Sequence, residues 1–284
     1  MSRGEKSKLV LKALKKIAAT DLRLDHNEWR IIVALERAIA RLEQHQQLRG
    51  HLVFKGGFVL LKTTDTTRFT KDVDALAISI RRENVPSLVQ SALAEDLDDG
   101  LWYGPVEVKD LEEQGLYGAY RFILPFQIGT PPPKHKLKKL SRIHIDIGFS
   151  DKLPLKPKKE NMISILPDLK PVSWAVYPHE YILAEKLETF VAKASANSRA
   201  KDIFDLNLLF VLCQNSTEIM KAIQKTFQHR KTELPASFYT FAKEINHIIL
   251  KPAWTAVQLM EDDASFEDSW TQLLKQMKNL DSFR

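Results

Sequence analysis

The stretch Arg68-Phe69-Thr70-Lys71-Asp72-Val73-Asp74-Ala75-Leu76-Ala77-Ile78-Ser79 decides how this chain is read. From Asp72 to Ser79 it has the content of a strand, entered from the polar turn of residues 64–67. Side chains two apart on a strand point to one face, so Asp72 and Asp74 project side by side. Adjacent carboxylates repel unless a cation lies between them, and oxygen donors of this kind suit Mg²⁺ or Mn²⁺. An isolated Asp-x-Asp also occurs on solvated strand faces, so the reading needs support from outside the strand.

That support comes from both sides. Upstream, the apolar residues His51-Leu52-Val53-Phe54 precede Lys55-Gly56-Gly57, and Phe58 to Lys62 resume at helical spacing: a strand, a glycine turn and a helix. Glycines there let the backbone approach a phosphate, and the N–H groups that open the helix supply donors. Downstream, residues 143–149 alternate, with Ile143, Ile145 and Ile147 on one face and His144, Asp146 and Gly148 on the other. If this strand lies beside the first, Asp146 joins Asp72 and Asp74. Three carboxylates can hold one or two metal ions and activate an attacking hydroxyl. On a continuing strand, Thr70 would show its hydroxyl to the same face. A phosphate there would add a charge of about −1.5 to −2 beside the aspartates, so Thr70 is an expected regulatory position.

The remainder divides by pattern. Helical periodicity runs over 5–19 and over 26–47, where Trp29, Ile32, Val33, Leu35, Ile39 and Leu42 form an apolar stripe. A helix is expected over 85–97, with Pro86 in its first turn, and strands over 106–111 and 117–125. From Pro178 the chain turns helical, over 179–194, 201–213, 216–229, 238–249 and 265–279. The expectation is a mixed α/β domain over 1–175, joined near 165–178 to an all-helical domain over 176–284. Trp102, Trp174, Trp254 and Trp270 are expected in the core or an interface.

Composition narrows the class. Hydrophobic residues make up 44% and charged residues 27%, as in ordinary globular proteins. Cys213, the one cysteine, excludes an internal disulfide and sits in an apolar run that predicts a buried thiol. No run of about 18 apolar residues occurs and the N-terminus has no signal-like core, so a cytoplasmic protein with no membrane partner is expected. The net charge of +6 is permissive for nucleic acid. Lys134, Lys136, Lys138, Lys139, Arg142, Lys152, Lys156, Lys158 and Lys159 face only Asp146 and Asp151 in sequence. Flanking the Asp146 strand, they read as a phosphate-tracking surface for an RNA acceptor, or as a solvated loop.

Five blocks follow in order: Phe54-Lys-Gly-Gly57, Arg68-x-Thr70-x-Asp72-x-Asp74, Asp146, Leu183-Ala-Glu-Lys186-Leu-Glu and Arg199-x-Lys-Asp202-Ile-Phe-Asp205-Leu. The glycine turn, the two-carboxylate strand and the later carboxylate resemble the nucleotidyltransferase superfamily. Together the blocks, over residues 51–210, resemble the AbiEii/AbiGii family of nucleotidyltransferase toxins, the toxic half of toxin–antitoxin or phage-defence pairs. The resemblance implies an α/β (α+β) nucleotidyltransferase-like mixed sheet with flanking helices, then an all-helical domain. It implies NMP transfer from an NTP to an acceptor hydroxyl with release of pyrophosphate, the 3′ end of tRNA as acceptor, a block of translation and growth, and a cognate antitoxin. By that resemblance Asp72, Asp74 and Asp146 hold Mg²⁺ or Mn²⁺, Asp146 helps activate the hydroxyl and Lys186 contacts the triphosphate. Lys55, Gly56, Gly57, Arg68 and either Asp202 or Asp205 serve the nucleotide.

Periodicity alone reads Lys186 as a surface lysine and Asp202 and Asp205 as partners in an interhelical ion pair. Gly57 stands where many nucleotidyltransferases have serine, so a phosphate contact must come from Lys55, Arg68 or the backbone. Two rival readings are nucleotidyl transfer to a protein or small molecule, and an inactive module that binds nucleotide or a partner. The basic run counts against a small neutral acceptor, and intact Asp72, Asp74 and Asp146 count against an inactive module.

Overall fold

Both leading helices begin at capping boxes, which satisfy otherwise orphaned N–H groups at the first turn. Ser2 and Glu5 cap α1 (Arg3–Thr20), and Asp25 and Glu28 cap α2 (His26–Gln44). The computed structural model describes residues 1–66, 68–111, 118–149, 156–257 and 265–283; Thr67, Tyr117, Asp151 and Lys152 lie outside them. On α2 the stripe Trp29, Ile32, Val33, Leu35, Ile39 and Leu42 is buried throughout.

β1 (Leu52–Lys55) runs straight into α3 (Gly56–Thr63), and β2 (Asp72–Ala77) follows. α4 (Val85–Ala94) starts on its proline and ends earlier than its pattern suggested, with Glu95 already extended. Next come β3 (Leu101–Tyr103), β4 (Glu107–Leu111), β5 (Ala119–Ile128), β6 (Arg142–Phe149), β7 (Lys158–Met162) and β8 (Val172–Val176). Among the described residues these eight strands form one mixed sheet in the order β3-β5-β6-β2-β1-β8-β7, with β4 also on β5. β2 runs parallel to β6 and β1 parallel to β8, whereas β1–β2, β5–β6 and β7–β8 are antiparallel. Alternation sends Phe54, Val73, Ala75, Phe122, Ile143, Ile145 and Ile147 into the core. Trp174 packs there too, its ring 5.5 Å from that of Phe54.

From Pro178 the chain is helical: α5 (His179–Lys193), α6 (Ala200–Leu212), α7 (Ser216–Arg230), α8 (Phe238–Glu244), α9 (Leu250–Trp254) and α10 (Phe266–Asp281). The chain divides into two compact units. One holds the sheet with α1–α4; the other holds the chain from Tyr177 onward, together with the short stretch containing Thr66, Arg68 and Phe69. The second unit has its own core, in which Phe227 lies 6.0 Å from Phe238, and Phe266 stacks on Trp270 at 5.9 Å. Cys213 is buried and forms no disulfide. Among the described residues no helix is long and apolar enough to cross a membrane.

Two local expectations are corrected. The helix expected over 238–249 is broken: Ile245 turns extended, the Asn246 N–H donates to Ser195 Oγ, and the Asn246 side chain accepts from the Ile248 N–H. A short polar side chain that satisfies its own backbone competes with helix continuation. The division between the units, at Val176 and Tyr177, falls inside the expected joint of 165–178, but that region is not all linker: it contains β8, inside the sheet between β1 and β7. Strand β7, Lys-Lys-Glu-Asn-Met, is an edge strand almost without apolar residues, so its pattern reads as loop.

Candidate active site

Four neighbouring strands contribute one residue each to a single line across the sheet. The register sets Lys55 opposite Asp74, Asp74 beside Asp146, and Asp146 opposite Arg121. Laterally paired residues share a face, so all four side chains rise from the same side, away from the apolar core. Asp72, two positions before Asp74, lies beside His144, whose Nδ1 is 3.1 Å from its Oδ1. The structure thus gathers Lys55, Asp72, Asp74 and Asp146 from segments far apart in sequence. It adds Arg121 and His144, which were not singled out from the sequence. His144 was legible, since it shares a face with Asp146 in the alternation. Arg121 was not, because nothing in its own strand announces the register with β6.

The glycine turn is built around Asp74. Gly56 has φ +75°, in the left-handed region, and a Cβ added to it would lie 2.2 Å from Asp74 Oδ2. Both facts demand glycine. α3 begins at this point and Lys55, its N-cap residue, gives no side-chain cap. First-turn N–H groups without a capping side chain, beginning at Gly56 and Gly57, are the kind that meet phosphates.

Asp146 has a committed partner. Arg121 donates from Nε to Asp146 Oδ1 at 2.8 Å and from Nη2 to Oδ2 at 2.7 Å, a two-pronged pair. The hydrogen bond to Asp146 holds the Arg121 guanidinium above its ordinary pKa against partial burial, with help from the charges of Asp146, Asp72 and Asp74. Among the described residues no group of three or more His, Cys, Asp or Glu side chains is placed to hold a metal ion. Asp72 and Asp74, on one face with hard oxygen donors, fit a divalent cation shared with phosphates. Both Asp146 oxygens point to Arg121, and the three carboxylates expected to act together are not gathered as one set among the described residues.

Thr70 differs from its expectation. It precedes β2 instead of extending it, is buried, and its Oγ1 lies 3.4 Å from the Asp72 amide as acceptor. Its hydroxyl is thus engaged with the Asp72 backbone. The basic run also separates. Lys134, Lys136, Lys138 and Lys139 lie exposed on a 3₁₀ turn (Lys134–Lys139) that leads into β6, whereas Lys158 and Lys159 lie exposed on β7. Between β6 and β7 stand β2, β1 and β8, roughly 20 Å of sheet at the usual strand spacing.

In the second unit, α5 and α6 present a buried ionic cluster. Lys186 Nζ lies 2.7 Å from both Asp202 Oδ1 and Asp205 Oδ2. Arg68 grips Asp205 through Nε at 2.6 Å and Nη2 at 2.9 Å, and Arg199 Nε donates to Asp202 Oδ2 at 2.6 Å. Both aspartates thus contact Lys186, where the sequence left a choice of one. Burial works against the charge on Lys186, yet Asp202 and Asp205 hold its pKa above the ordinary lysine value. Burial likewise opposes ionisation of the aspartates, and Lys186 outweighs it, with Arg199 at Asp202 and Arg68 at Asp205, so both titrate below the usual carboxylate range.

Residues 37–282 match the family model described as nucleotidyl transferase AbiEii toxin, type IV TA system. The chain belongs to the AbiEii family of nucleotidyltransferase toxins. It is therefore a nucleotidyltransferase, and its family implies an NTP substrate and an antitoxin partner. Among solved structures it is similar to MenT4, a nucleotidyltransferase toxin from Mycobacterium tuberculosis, at 17% identity and TM-score 0.62 over 94% of this chain and 89% of that one. JHP933 from Helicobacter pylori aligns at 15% identity and TM-score 0.53, over 88% of this chain and 90% of that one. A further putative nucleotidyltransferase from H. pylori aligns at 14% identity and TM-score 0.51, over 90% and 94% respectively. At these identities the likeness speaks for the toxin's fold. No curated protein matches the chain.

Proposed function

We propose that this toxin transfers a nucleoside monophosphate from an NTP to the 3′-hydroxyl of an RNA, a tRNA in particular, and so blocks translation and growth. The observation that supports this reading most is the placement of Asp72 and Asp74 beside the glycine turn, with Gly56 fitted against the Asp74 carboxylate. Asp72 and Asp74 would hold Mg²⁺ or Mn²⁺, which when bound neutralises phosphate charge and polarises the transferred phosphoryl group. The uncapped start of α3, at Gly56 and Gly57, would receive phosphate oxygens through backbone N–H groups. Lys55 adds positive charge from the adjacent strand end. Lys186 would contact the triphosphate, as the family pattern implies, and Asp202 and Asp205 would orient its ammonium. Exposed Lys134, Lys136, Lys138 and Lys139, next in the chain to β6, would track the RNA backbone, which needs no base contacts to be bound.

Purified protein incubated with each labelled NTP and total RNA, with and without Mg²⁺, tests the proposal directly. Label should enter a small RNA fraction only when metal is present. Label on protein instead of RNA would overturn the acceptor, and label that does not depend on metal would overturn the role given to Asp72 and Asp74.

A further inference from the structure

Resting on that reading of Asp72 and Asp74 as the metal carboxylates, we propose that Arg121 occupies the place of a second cation, so that the site holds a single divalent ion and Asp146 anchors the guanidinium instead of binding metal.

The order of charges along the cross-strand row makes this specific. Lys55, Asp74, Asp146 and Arg121 are successive partners, so the two carboxylates stand side by side with one cationic residue at each end. Two neighbouring carboxylates need positive charge between or beside them. For Asp146 that charge is already built in: both of its oxygens are hydrogen-bonded by one planar fork, at 2.8 and 2.7 Å. A guanidinium matches a carboxylate in shape as well as charge, and in a partly buried pair it does not leave readily. The Asp146 side chain is 16% exposed and that of Arg121 36%, so the pair sits at the surface of the row, open on the Arg121 side.

The pair also leaves something over. Arg121 uses Nε and Nη2 on Asp146, and its Nη1 has no hydrogen-bond partner among the described residues. A fixed cation with one unspent donor beside a metal carboxylate pair can meet an anionic oxygen of the substrate, as a second metal ion would. It does so without the cost of assembling that ion at each turnover. Asp72 belongs to the other side of this division: its neighbour in the register is His144, not an arginine. The sheet therefore separates the carboxylates into a metal-competent pair, Asp72 and Asp74, and an arginine-bound third.

Titration of the full-length protein with Mn²⁺ alone, followed by the electron paramagnetic resonance signal of free Mn²⁺ and by calorimetry, tests this. Wild type should bind one Mn²⁺ per chain. Asp146→Asn should keep that stoichiometry with affinity within about threefold, while Asp74→Asn should weaken binding by about tenfold or more. Arg121→Gln, which frees Asp146 next to Asp74, should gain a second Mn²⁺. Two ions on wild type, a tenfold weakening by Asp146→Asn, or one ion on Arg121→Gln would each overturn the proposal and leave the Asp72 and Asp74 site standing. No Mn²⁺ on wild type, or binding indifferent to Asp74→Asn, would overturn that site and this inference together.

Discussion

Gly56 lies so close to Asp74 that a Cβ on it would stand 2.2 Å from the carboxylate oxygen Oδ2, at a backbone φ of +75°. The turn that opens α3 and the strand that carries the aspartates therefore constrain each other atom by atom. Gly56→Ala must either rotate Asp74 away or lift the turn, and it also forces an L-residue into the left-handed region at a cost of about 1–2 kcal/mol. The variant should stay folded, with a modestly lower Tm, and lose NMP transfer by about a hundredfold, comparable to loss of a ligand's support. Steady-state transfer with labelled NTP measures it. An Ala variant with near-normal turnover would show that the close approach has no part in the chemistry.

Asp72→Asn and Asp74→Asn keep side-chain volume and remove charge. Each should reduce transfer by at least about a hundredfold and relieve growth inhibition in cells. Melting temperature should hold or rise, because the change removes repulsion between neighbouring carboxylates. A fully toxic double variant would place the active site elsewhere.

The Lys186 cluster should behave as structure as well as chemistry. Removing the ammonium by Lys186→Ala leaves buried Asp202 with Arg199 alone and buried Asp205 with Arg68 alone, so denaturant unfolding should show a loss of roughly 1–3 kcal/mol at neutral pH. The sign of the pH effect follows from the depressed aspartates. Their stabilisation is present above the ordinary value of 3.8 and is lost as pH falls toward their own lower values. Asp205→Asn should therefore be markedly less stable than wild type at pH 7, and the gap should shrink as pH drops below 3.8. A gap constant with pH would mean that Asp205 does not act through its charge.

Much of the first unit was legible because its chemistry lies on strongly periodic segments. The alternation Ile143, Ile145, Ile147 set the face of Asp146, and the spacing of Asp72 and Asp74 set theirs, before any pairing was known. Pairing itself was not legible. A strand pattern names the face but not the neighbour, so Arg121 opposite Asp146 emerged only from the register. The same gap misplaced Lys158 and Lys159: nearness in sequence to β6 suggested nearness in space, but the sheet order sends β7 to the far edge. In the second unit, periodicity gave the helices and put Asp202 and Asp205 on one face, but it could not show that Lys186 and Arg68 reach into the same buried cluster. The reading of Thr70 depended on the strand running back past Asp72, where the sequence pattern already placed its start, and the structure starts it at Asp72 as well.

Glu43 makes an independent test of burial on α2. Burial pushes its carboxyl from 4.5 up to about 7 against the weaker pull of Arg49, and its Oε1 has no hydrogen-bond partner among the described residues. Because the folded value is raised, the favourable protonated state is fully present below 4.5, and stability falls as pH rises through about 7. Glu43→Gln should be nearly neutral at low pH and stabilising by roughly 1–3 kcal/mol once the solution is well above neutral. Thermal melts across that range read it. A variant less stable than wild type on the alkaline side would show that the charged carboxylate has a partner.

The separated basic groups give the acceptor proposal a test with an internal control. Lys136, Lys138 and Lys139 are exposed on the turn that leads into β6, the strand of His144 and Asp146, whereas Lys158 and Lys159 are exposed on β7 at the far edge of the same sheet. The two groups lie at separate places on the sheet, so an RNA led to the Asp74 row by the turn before β6 makes no use of β7. Single-stranded contacts release counterions in proportion to the phosphates neutralised, about 0.7 in the log–log salt slope for each. Reversal of the first group to Glu should therefore weaken RNA binding and reduce the slope by about 2, whereas reversal of the second should change neither appreciably. NTP binding should be unaffected in both, because neither group lies in the row that holds the carboxylates. Fluorescence anisotropy with a labelled tRNA over a series of salt concentrations separates the outcomes. Equal losses from the two groups would mean general charge attraction without a path across the sheet, and no loss from the first would remove this turn from the acceptor site.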